Sequence, residues 1–228
     1  MVVYYSKTPF FFKFYLIDLP GCGINQHMSS IKIEEIIEIL YNKMPKNSIW
    51  LGWSIGGLIA SRFVLSYPEH TLALITVASS PCFVEKKNWP GIKKYTAYKF
   101  YSDLQTNYFK TINNFFYLQQ KYTKKYFYNS NKLKEIILSQ SQPNREFLKN
   151  GLEIICSIDL RLEMTLIKVP FLRIYGSIDG LVPKEIKNIL DKIWLNTDSV
   201  IIKQAAHIPH VSHPKEFCSI LLNFKNLL

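Results

Sequence analysis

The chain has 228 residues, of which 48% are hydrophobic, so it can bury a sizeable core, and its length fits one domain with or without an insertion. This composition argues against a disordered protein. The formal net charge of +11 comes from lysines spread along the chain, without a DNA- or RNA-binding motif. We therefore predict no nucleic-acid partner, whereas a basic surface of this kind suits an acidic protein partner.

The four cysteines indicate the class of protein and its compartment. They lie far apart, with no CxxC pair and no metal-ligand spacing, at Cys22, Cys82, Cys156 and Cys218. This spacing argues against both a disulfide framework and a zinc site. We predict reduced, buried cysteines in a cytoplasmic monomer that needs no metal and no organic cofactor.

The aromatic N-terminal stretch lacks the features of a signal peptide. Lys7, Pro9 and Lys13 interrupt its apolar residues, and no small-residue cleavage site follows. No other segment approaches the roughly 18 uninterrupted apolar residues of a membrane span. The sequence predicts a soluble protein that does not act at a membrane.

The first predicted elements are a strand, a turn and a helix. A buried strand is expected from Phe12 to Ile17, followed by a turn over residues 20–23, which contain Pro and Gly. Ser29 or Ser30 can cap the helix that comes next. The spacing of one helix face is shown by Ile33, Ile36, Ile37 and Leu40.

Strand and helix patterns then alternate. The short apolar segment "SIWLGW" predicts a strand, "GGLIASRFVLSYP" predicts a helix that Pro68 ends, and "TLALITVASS" predicts another strand. Such alternation is typical of an α/β protein with a parallel sheet.

A change of pattern divides the chain into three parts. Residues 85–159 are aromatic-rich and predicted to be helical, whereas strands return at "VPFLRIYG" and "SVIIKQAAH". A final helix follows, with Pro214 near its first turn. We predict an α/β core formed by residues 1–84 and 160–228, with residues 85–159 inserted as a helical cap.

One serine lies between glycines, as Gly52-Trp53-Ser54-Ile55-Gly56, after a predicted strand and before a predicted helix. The G-x-S-x-G pattern allows a strained strand-to-helix turn that exposes the serine, and it aims the following amide at a developing negative charge. A serine hydroxyl needs a base within hydrogen-bond reach before it can attack a carbonyl. Ser54 is therefore a candidate nucleophile, with the Ile55 amide as an oxyanion donor.

An acid and a histidine can complete the constellation in the chain order serine, acid, histidine. Asp179 follows a predicted strand and can orient an imidazole, although the alternative interpretation is an Asx turn before Gly180. His207 follows the last predicted strand. His210 lies deeper in the same loop, and His213, before a proline, is typical of a residue at a helix start.

Several segments resemble the pimeloyl-[acyl-carrier protein] methyl ester esterases of biotin biosynthesis, a family of the α/β-hydrolase superfamily. They span essentially the whole chain as "DLPGCG", "LGWSIGGLIAS", "ITVASSPCFVEKKNWPGIK", "NGLEII", "VPFLRIYGSIDGLVP" and "AAHIPHVSHPKEFC". The resemblance implies a hydrolase with a mostly parallel sheet and a helical cap. It also implies a carboxylesterase that removes the methyl group from the ω-carboxyl of pimeloyl-[acyl-carrier protein].

The resemblance also assigns roles to residues. It makes Ser54 the nucleophile, His207 the base and Asp179 the group that orients the base. The same residues Ser54 and His207 contact the substrate, together with Trp53, Ile55, Phe115, Phe116, Tyr117, Leu118 and Gln119. The family's carrier-protein contacts are cap arginines, whose places are taken here by Lys110, Asn114, Phe127 and Asn131. Nearby lysines that can compensate are Lys121, Lys124, Lys125, Lys132 and Lys134.

The N-terminal part departs from the family's pattern. The resemblance implies a strand pair and an H-G-W-G-like turn before the "DLPG" segment, and the sequence contains no such segment. We therefore expect the central strand between residues 12–17 and the strand ending at Trp53 to be missing, together with the second oxyanion amide.

Two alternative functions stay open. One is a carboxylesterase for other short acyl esters. The catalytic residues do not select the alcohol group of the ester, and substrate specificity is set by the cap. The other is a hydrolase-fold remnant with impaired catalysis, which the missing N-terminal segment favours and the three candidate catalytic residues oppose.

Overall fold

Four parallel strands form the sheet in the part of the chain that the computed structural model describes, residues 13–29, 32–120, 127–226 and 228. Their order in the sheet is the order in the chain: β1 (Ser48–Trp53), β2 (Thr71–Val77), β3 (Phe171–Gly176) and β4 (Asp198–Ile202). All three strand pairs are parallel, which confirms the predicted parallel sheet. The carboxyl ends therefore meet at one edge, where Trp53 pairs with Val77 and Gly176 with Ile202.

The helices connect these strands and cover the sheet. They are α1 (Ile33–Lys43), α2 (Ile55–Ser66), α3 (Lys94–Thr106), α4 (Tyr108–Gln120), α5 (Phe127–Ser139), α6 (Arg145–Ser157), α7 (Glu185–Asp191), α8 (Pro209–Ser212) and α9 (Pro214–Lys225). Helices α3 to α6 all lie between β2 and β3 in the chain, and we call residues 94–157 the helical segment. Among the described residues, no helix has both the length and the apolar character needed to cross a membrane.

Successive side chains of β2 enter two different apolar clusters. Leu74 joins a large cluster with residues of α1, α2 and α7, whereas Ala73 and Ile75 join a smaller one that includes Phe224 of α9. Because strand side chains alternate between faces, helices cover both faces of the sheet. This burial on both sides explains the almost continuous apolar sequence of β2.

The strand predicted from Phe12 to Ile17 is wrong for residues 13–17. These residues have no regular secondary structure, and the side chains of Phe14, Leu16 and Ile17 are exposed. Phe12 itself lies outside the described residues. A strand needs the N–H and C=O groups of a neighbour, and within the described part of the chain β1 pairs with β2 alone. An apolar pattern without a neighbouring strand therefore did not produce a strand.

The predicted cap of α1 is also wrong. The N-cap is Lys32, whose side chain makes no capping hydrogen bond, and Ser29 lies before it. Ser30 is outside the described residues. The helix starts where its buried face starts, at Ile33, and two acidic side chains of the first turn, Glu34 and Glu35, interact favourably with the helix N-terminus.

The four cysteines are free, as predicted. Cys82 is buried, whereas Cys22, Cys156 and Cys218 are half-buried, so the prediction of full burial holds for one of them. Burial raises the pKa values of the Cys82, Cys22 and Cys156 thiols above their ordinary value. These three are therefore weak nucleophiles.

Candidate active site

Ser54 occupies a strained turn between β1 and α2. Its backbone angles are φ 53° and ψ −123°, a region that side chains rarely adopt and that costs about 1 to 3 kcal/mol. The end of β2 holds this turn, since the Ser54 N–H donates to the carbonyl of Val77 at 2.9 Å. The Ser79 hydroxyl also donates to the carbonyl of Ser54 at 2.7 Å. The strain is thus maintained by hydrogen bonds from the neighbouring strand.

The glycines around Ser54 have different steric roles. A Cβ atom added to Gly52 would collide with the main chain of Gly56, and one added to Gly57 would collide with the Ser79 side chain. At Gly56 a Cβ would meet no atom within 4 Å. Close packing therefore requires Gly52 and Gly57, whereas the second glycine of the G-x-S-x-G pattern has open space. Gly57 lies outside the G-x-S-x-G pattern, so that pattern does not predict its role.

His207 lies between Ser54 and Asp179 in a chain of hydrogen bonds. The Ser54 hydroxyl and the imidazole Nε2 are 2.9 Å apart, and Nδ1 is 2.8 Å from Oδ2 of Asp179. The His207 residue is only 1% exposed. With Nδ1 protonated, His207 donates to the carboxylate and its Nε2 can accept the proton of Ser54. The structure thus brings together the three residues selected from the sequence.

Asp179 both forms an Asx turn and orients the imidazole, the two roles that the sequence left open. Its Oδ1 accepts hydrogen bonds from the N–H groups of Leu181 and Val182, at 2.8 and 3.0 Å, as in an Asx turn. Its Oδ2 is bonded to His207. The turn orients the carboxylate, and the second oxygen orients the imidazole.

The two other candidate histidines lie elsewhere in the same region. His213 is the N-cap of α9, and its Nδ1 is 2.8 Å from the Ser212 hydroxyl. His210 packs edge-on against Trp53, with ring centroids 5.2 Å apart. Burial, followed by the charge of His207, lowers the pKa of His210 to about 4, so this imidazole is neutral near pH 7.

Trp53 contacts the His207 loop. Its indole N–H donates to the main-chain carbonyl of His207 at 2.7 Å, and the two rings are 5.7 Å apart. No pattern along the chain predicts this bond, because the two residues are 154 positions apart. Ile55 is the first residue of α2, so its N–H is among those without an intrahelical acceptor.

The predicted substrate positions in α4 differ in their surroundings. The Phe115 ring stands perpendicular to the His207 ring at 6.2 Å, and Phe116 is buried against Phe115. Tyr117 and Leu118 are 64% and 61% exposed. The side chain of Gln119 lies outside the described residues. Among the described side chains of this set, the Phe115 ring lies beside the His207 ring.

Comparisons with known proteins show which family this chain resembles in sequence and in fold. A family model described as the alpha/beta hydrolase fold matches residues 10–214. Pimeloyl-[acyl-carrier protein] methyl ester esterases from Salmonella typhi and Salmonella choleraesuis are 41% identical over 217 residues, which are 95% of this chain and 85% of each relative. The chain belongs to this esterase family within the α/β hydrolases.

Solved structures of more distant α/β hydrolases have a similar fold. An esterase from Thermogutta terrifontis superposes with a TM-score of 0.75 at 17% identity, over 92% of this chain and 78% of that one. The esterase EaEST from Exiguobacterium antarcticum gives a TM-score of 0.72 at 17% identity, over 84% and 71% of the two chains. The pimeloyl esterase family thus shares its architecture with esterases of little sequence similarity.

Proposed function

We propose that this protein is a serine carboxylesterase that hydrolyses the methyl ester of pimeloyl-[acyl-carrier protein] to the free carboxylate and methanol. The observation that carries the proposal is the chain of hydrogen bonds from Ser54 through His207 to Asp179 at a strained strand-to-helix turn. Membership of the pimeloyl-[acyl-carrier protein] methyl ester esterase family supports the choice of substrate.

In the first half of the reaction, Ser54 Oγ attacks the ester carbonyl while His207 Nε2 takes its proton. Asp179 stabilises the imidazolium that forms, without itself taking the proton. The Ile55 N–H, at the start of α2, donates to the oxyanion of the tetrahedral intermediate. The imidazolium then protonates the methoxy group, and methanol departs. The acyl group stays covalently bonded to Ser54 Oγ as an acyl-enzyme.

In the second half, water attacks the acyl-enzyme. His207 removes a proton from this water as the carbonyl becomes tetrahedral again, and it returns the proton to Ser54 Oγ as that oxygen leaves. The products are the free serine and the pimeloyl carboxylic acid, which ionises at neutral pH. Each step uses one base that alternates between two protonation states, so no metal is needed.

We propose that the helical segment acts as the cap and selects the acyl chain. Phe115 supplies an apolar ring beside His207, where the methylene chain of the substrate would pass. Phe116 is buried behind it and supports its position. An acyl chain against these rings replaces water with apolar contacts, which favours binding of a long methylene chain.

The carrier protein is proposed to dock on the basic side of the helical segment. Lys110 of α4 and Lys132 of α5 are exposed. Lys121, Lys124 and Lys125 fall outside the described residues, but their positions in the sequence place them between α4 and α5. An acidic partner would be attracted to this set over a distance of several ångströms.

The test replaces the nucleophile. Purified protein is mixed with pimeloyl-[acyl-carrier protein] methyl ester, and methanol release is measured. Loss of the nucleophile in a serine hydrolase lowers kcat about 10⁶-fold, so Ser54→Ala should show no detectable turnover. Ser66→Ala, at an exposed serine that ends α2, is the matched control and should turn over like the parent. A Ser54→Ala variant with a tenth of the parent rate would exclude the proposed nucleophile.

The same assay separates the two alternatives. Comparable rates on the carrier-protein ester and on small acyl esters, such as p-nitrophenyl butyrate, would indicate a general carboxylesterase. A folded protein that hydrolyses neither ester would be a hydrolase-fold remnant.

A further inference from the structure

Trp53 connects the two sides of the candidate active site. It is the last residue of β1 and directly precedes Ser54. Its side chain reaches the loop after β4, where the indole N–H donates to the main-chain carbonyl of His207 at 2.7 Å. The residue next to the nucleophile is therefore hydrogen-bonded to the main chain of the residue that supplies the base.

We infer that Trp53 is a positioning residue, whose indole N–H keeps His207 Nε2 within hydrogen-bond reach of Ser54. The inference rests on the proposed function, because it gives Trp53 a part in the same ester hydrolysis. It assigns the indole a structural task in catalysis, in addition to the substrate contact that the sequence predicted.

The backbone around His207 explains why such a bond is needed. β4 ends at Ile202 and α8 begins at Pro209, so His207 lies in a loop outside the ladder of the sheet. Asp179 holds the imidazole at one atom, Nδ1, about which the ring can still pivot. The bond from Trp53 holds the main chain of the same residue, and two anchors on different parts of His207 fix its position.

The hydrogen-bonding capacity of Trp53 argues against a purely substrate-binding role. An indole has one N–H donor and no acceptor, and here the His207 carbonyl occupies that donor. The ring also lies beside the rings of His207 and His210. A small error in the position of a catalytic base, of about 1 Å, is sufficient to lower the rate about 10²-fold.

The experiment removes the N–H in two ways and has a control on the same strand. Trp53→Phe removes the donor and part of the ring, whereas benzothienylalanine at position 53 replaces N–H by sulfur and keeps the shape. Trp50→Phe is the control, because Trp50 also lies in β1, is buried, and its Nε1 has no hydrogen-bond partner among the described residues. Each variant is assayed well below its unfolding temperature.

Two readouts are expected to change together. With p-nitrophenyl butyrate, both changes at Trp53 should lower kcat about tenfold or more, while KM changes less than about twofold. In histidine-labelled protein, the downfield NMR resonance of the His207 Nδ1 proton should broaden as its exchange with water becomes faster. Trp50→Phe should leave kcat and this resonance as in the parent protein.

Other results would overturn the inference. A higher KM with unchanged kcat and an unchanged resonance would make Trp53 a substrate contact only. Equal losses in Trp50→Phe would point to general damage of β1. If the parent protein hydrolyses no ester, the proposed function fails, but the NMR comparison still decides whether the indole holds His207, because it needs no turnover.

Discussion

At the scale of single residues, the site depends on groups that the sequence could and could not reveal. Ser54, Asp179 and His207 were predictable because each follows an apolar strand and their order matches one catalytic pattern. Ser79 and Gly57 were not, because their importance comes from contacts made across the fold. A sequence pattern can show where a strand ends, but it cannot show how close a Cβ atom at position 57 would come to the hydroxyl of Ser79, which lies just after β2.

A pair of glycine substitutions tests this contact. Gly57→Ala should place a methyl group against Ser79 and displace the hydroxyl from the Ser54 carbonyl. We expect a loss of about 1 to 3 kcal/mol in the free energy of unfolding and a fall in esterase kcat of about 10²-fold.

Gly56→Ala is the matched comparison, since its Cβ would enter open space within the same helix. It should keep the free energy of unfolding or raise it by about 0.5 kcal/mol, because alanine favours a helix over glycine. Urea unfolding of the two variants measures the difference. Equal stability of both would show that Ser79 moves aside without cost.

At the scale of elements, the two ends of the predicted insertion at residues 85–159 are joined. Lys86 and Asp159 form an ion pair of 2.6 Å, and the Leu160 N–H donates to the carbonyl of Pro81 at 2.8 Å. The sequence predicted the position of the insertion from its change of pattern. It did not predict this junction, because a lysine and an aspartate 73 positions apart give no periodic signal.

Asp159→Asn tests the junction through its pH dependence. Hydrogen bonds from Arg161, followed by those from Lys86, lower the pKa of the Asp159 carboxyl against the effect of its partial burial. A lowered pKa in the folded state stabilises the fold above the ordinary aspartate pKa, and this contribution is lost as the pH falls below about 4. The partners are partly exposed, so we expect the variant to lose at most about 1 kcal/mol at pH 7.

The measurement is urea unfolding of parent and variant at pH 7 and at pH 3.5. The difference between them should shrink at the lower pH. Asp198→Asn, at an exposed aspartate that begins β4, is the control and should change the free energy of unfolding by less than about 0.5 kcal/mol at either pH. A difference for Asp159→Asn that stays constant with pH would exclude the ion pair as its cause.

At the scale of the whole molecule, parallel strands bring the three candidate catalytic residues together at one edge of the sheet. The loops after β1, β3 and β4 carry Ser54, Asp179 and His207. The four strands of this sheet were predictable from short apolar segments bounded by turn residues. Among the described residues, 13–17 of the strand expected from Phe12 to Ile17 form no strand, because a strand depends on a neighbour that its own residues do not specify.

The net charge of +11 permits a test of where the carrier protein docks. Replacing Lys121, Lys124, Lys125 and Lys132 together by Glu should slow hydrolysis of the carrier-protein ester much more than hydrolysis of p-nitrophenyl butyrate. The physical reason is that an acidic partner is attracted by this part of the surface, whereas a small neutral ester is not. The difference should shrink in high salt, where the Debye length falls from about 10 Å at 0.1 M to about 3 Å at 1 M.

A second set of four lysines separates position from total charge. Lys46, Lys168, Lys192 and Lys215 are exposed and lie outside the helical segment, and their replacement by Glu changes the net charge by the same amount. If attraction depended on net charge alone, both sets would slow the carrier-protein reaction equally, and the proposed docking surface would be wrong. If the helical segment is the docking surface, the second set should leave the ratio of the two ester rates close to that of the parent, because screening weakens charges that lie farther than a Debye length from the bound partner.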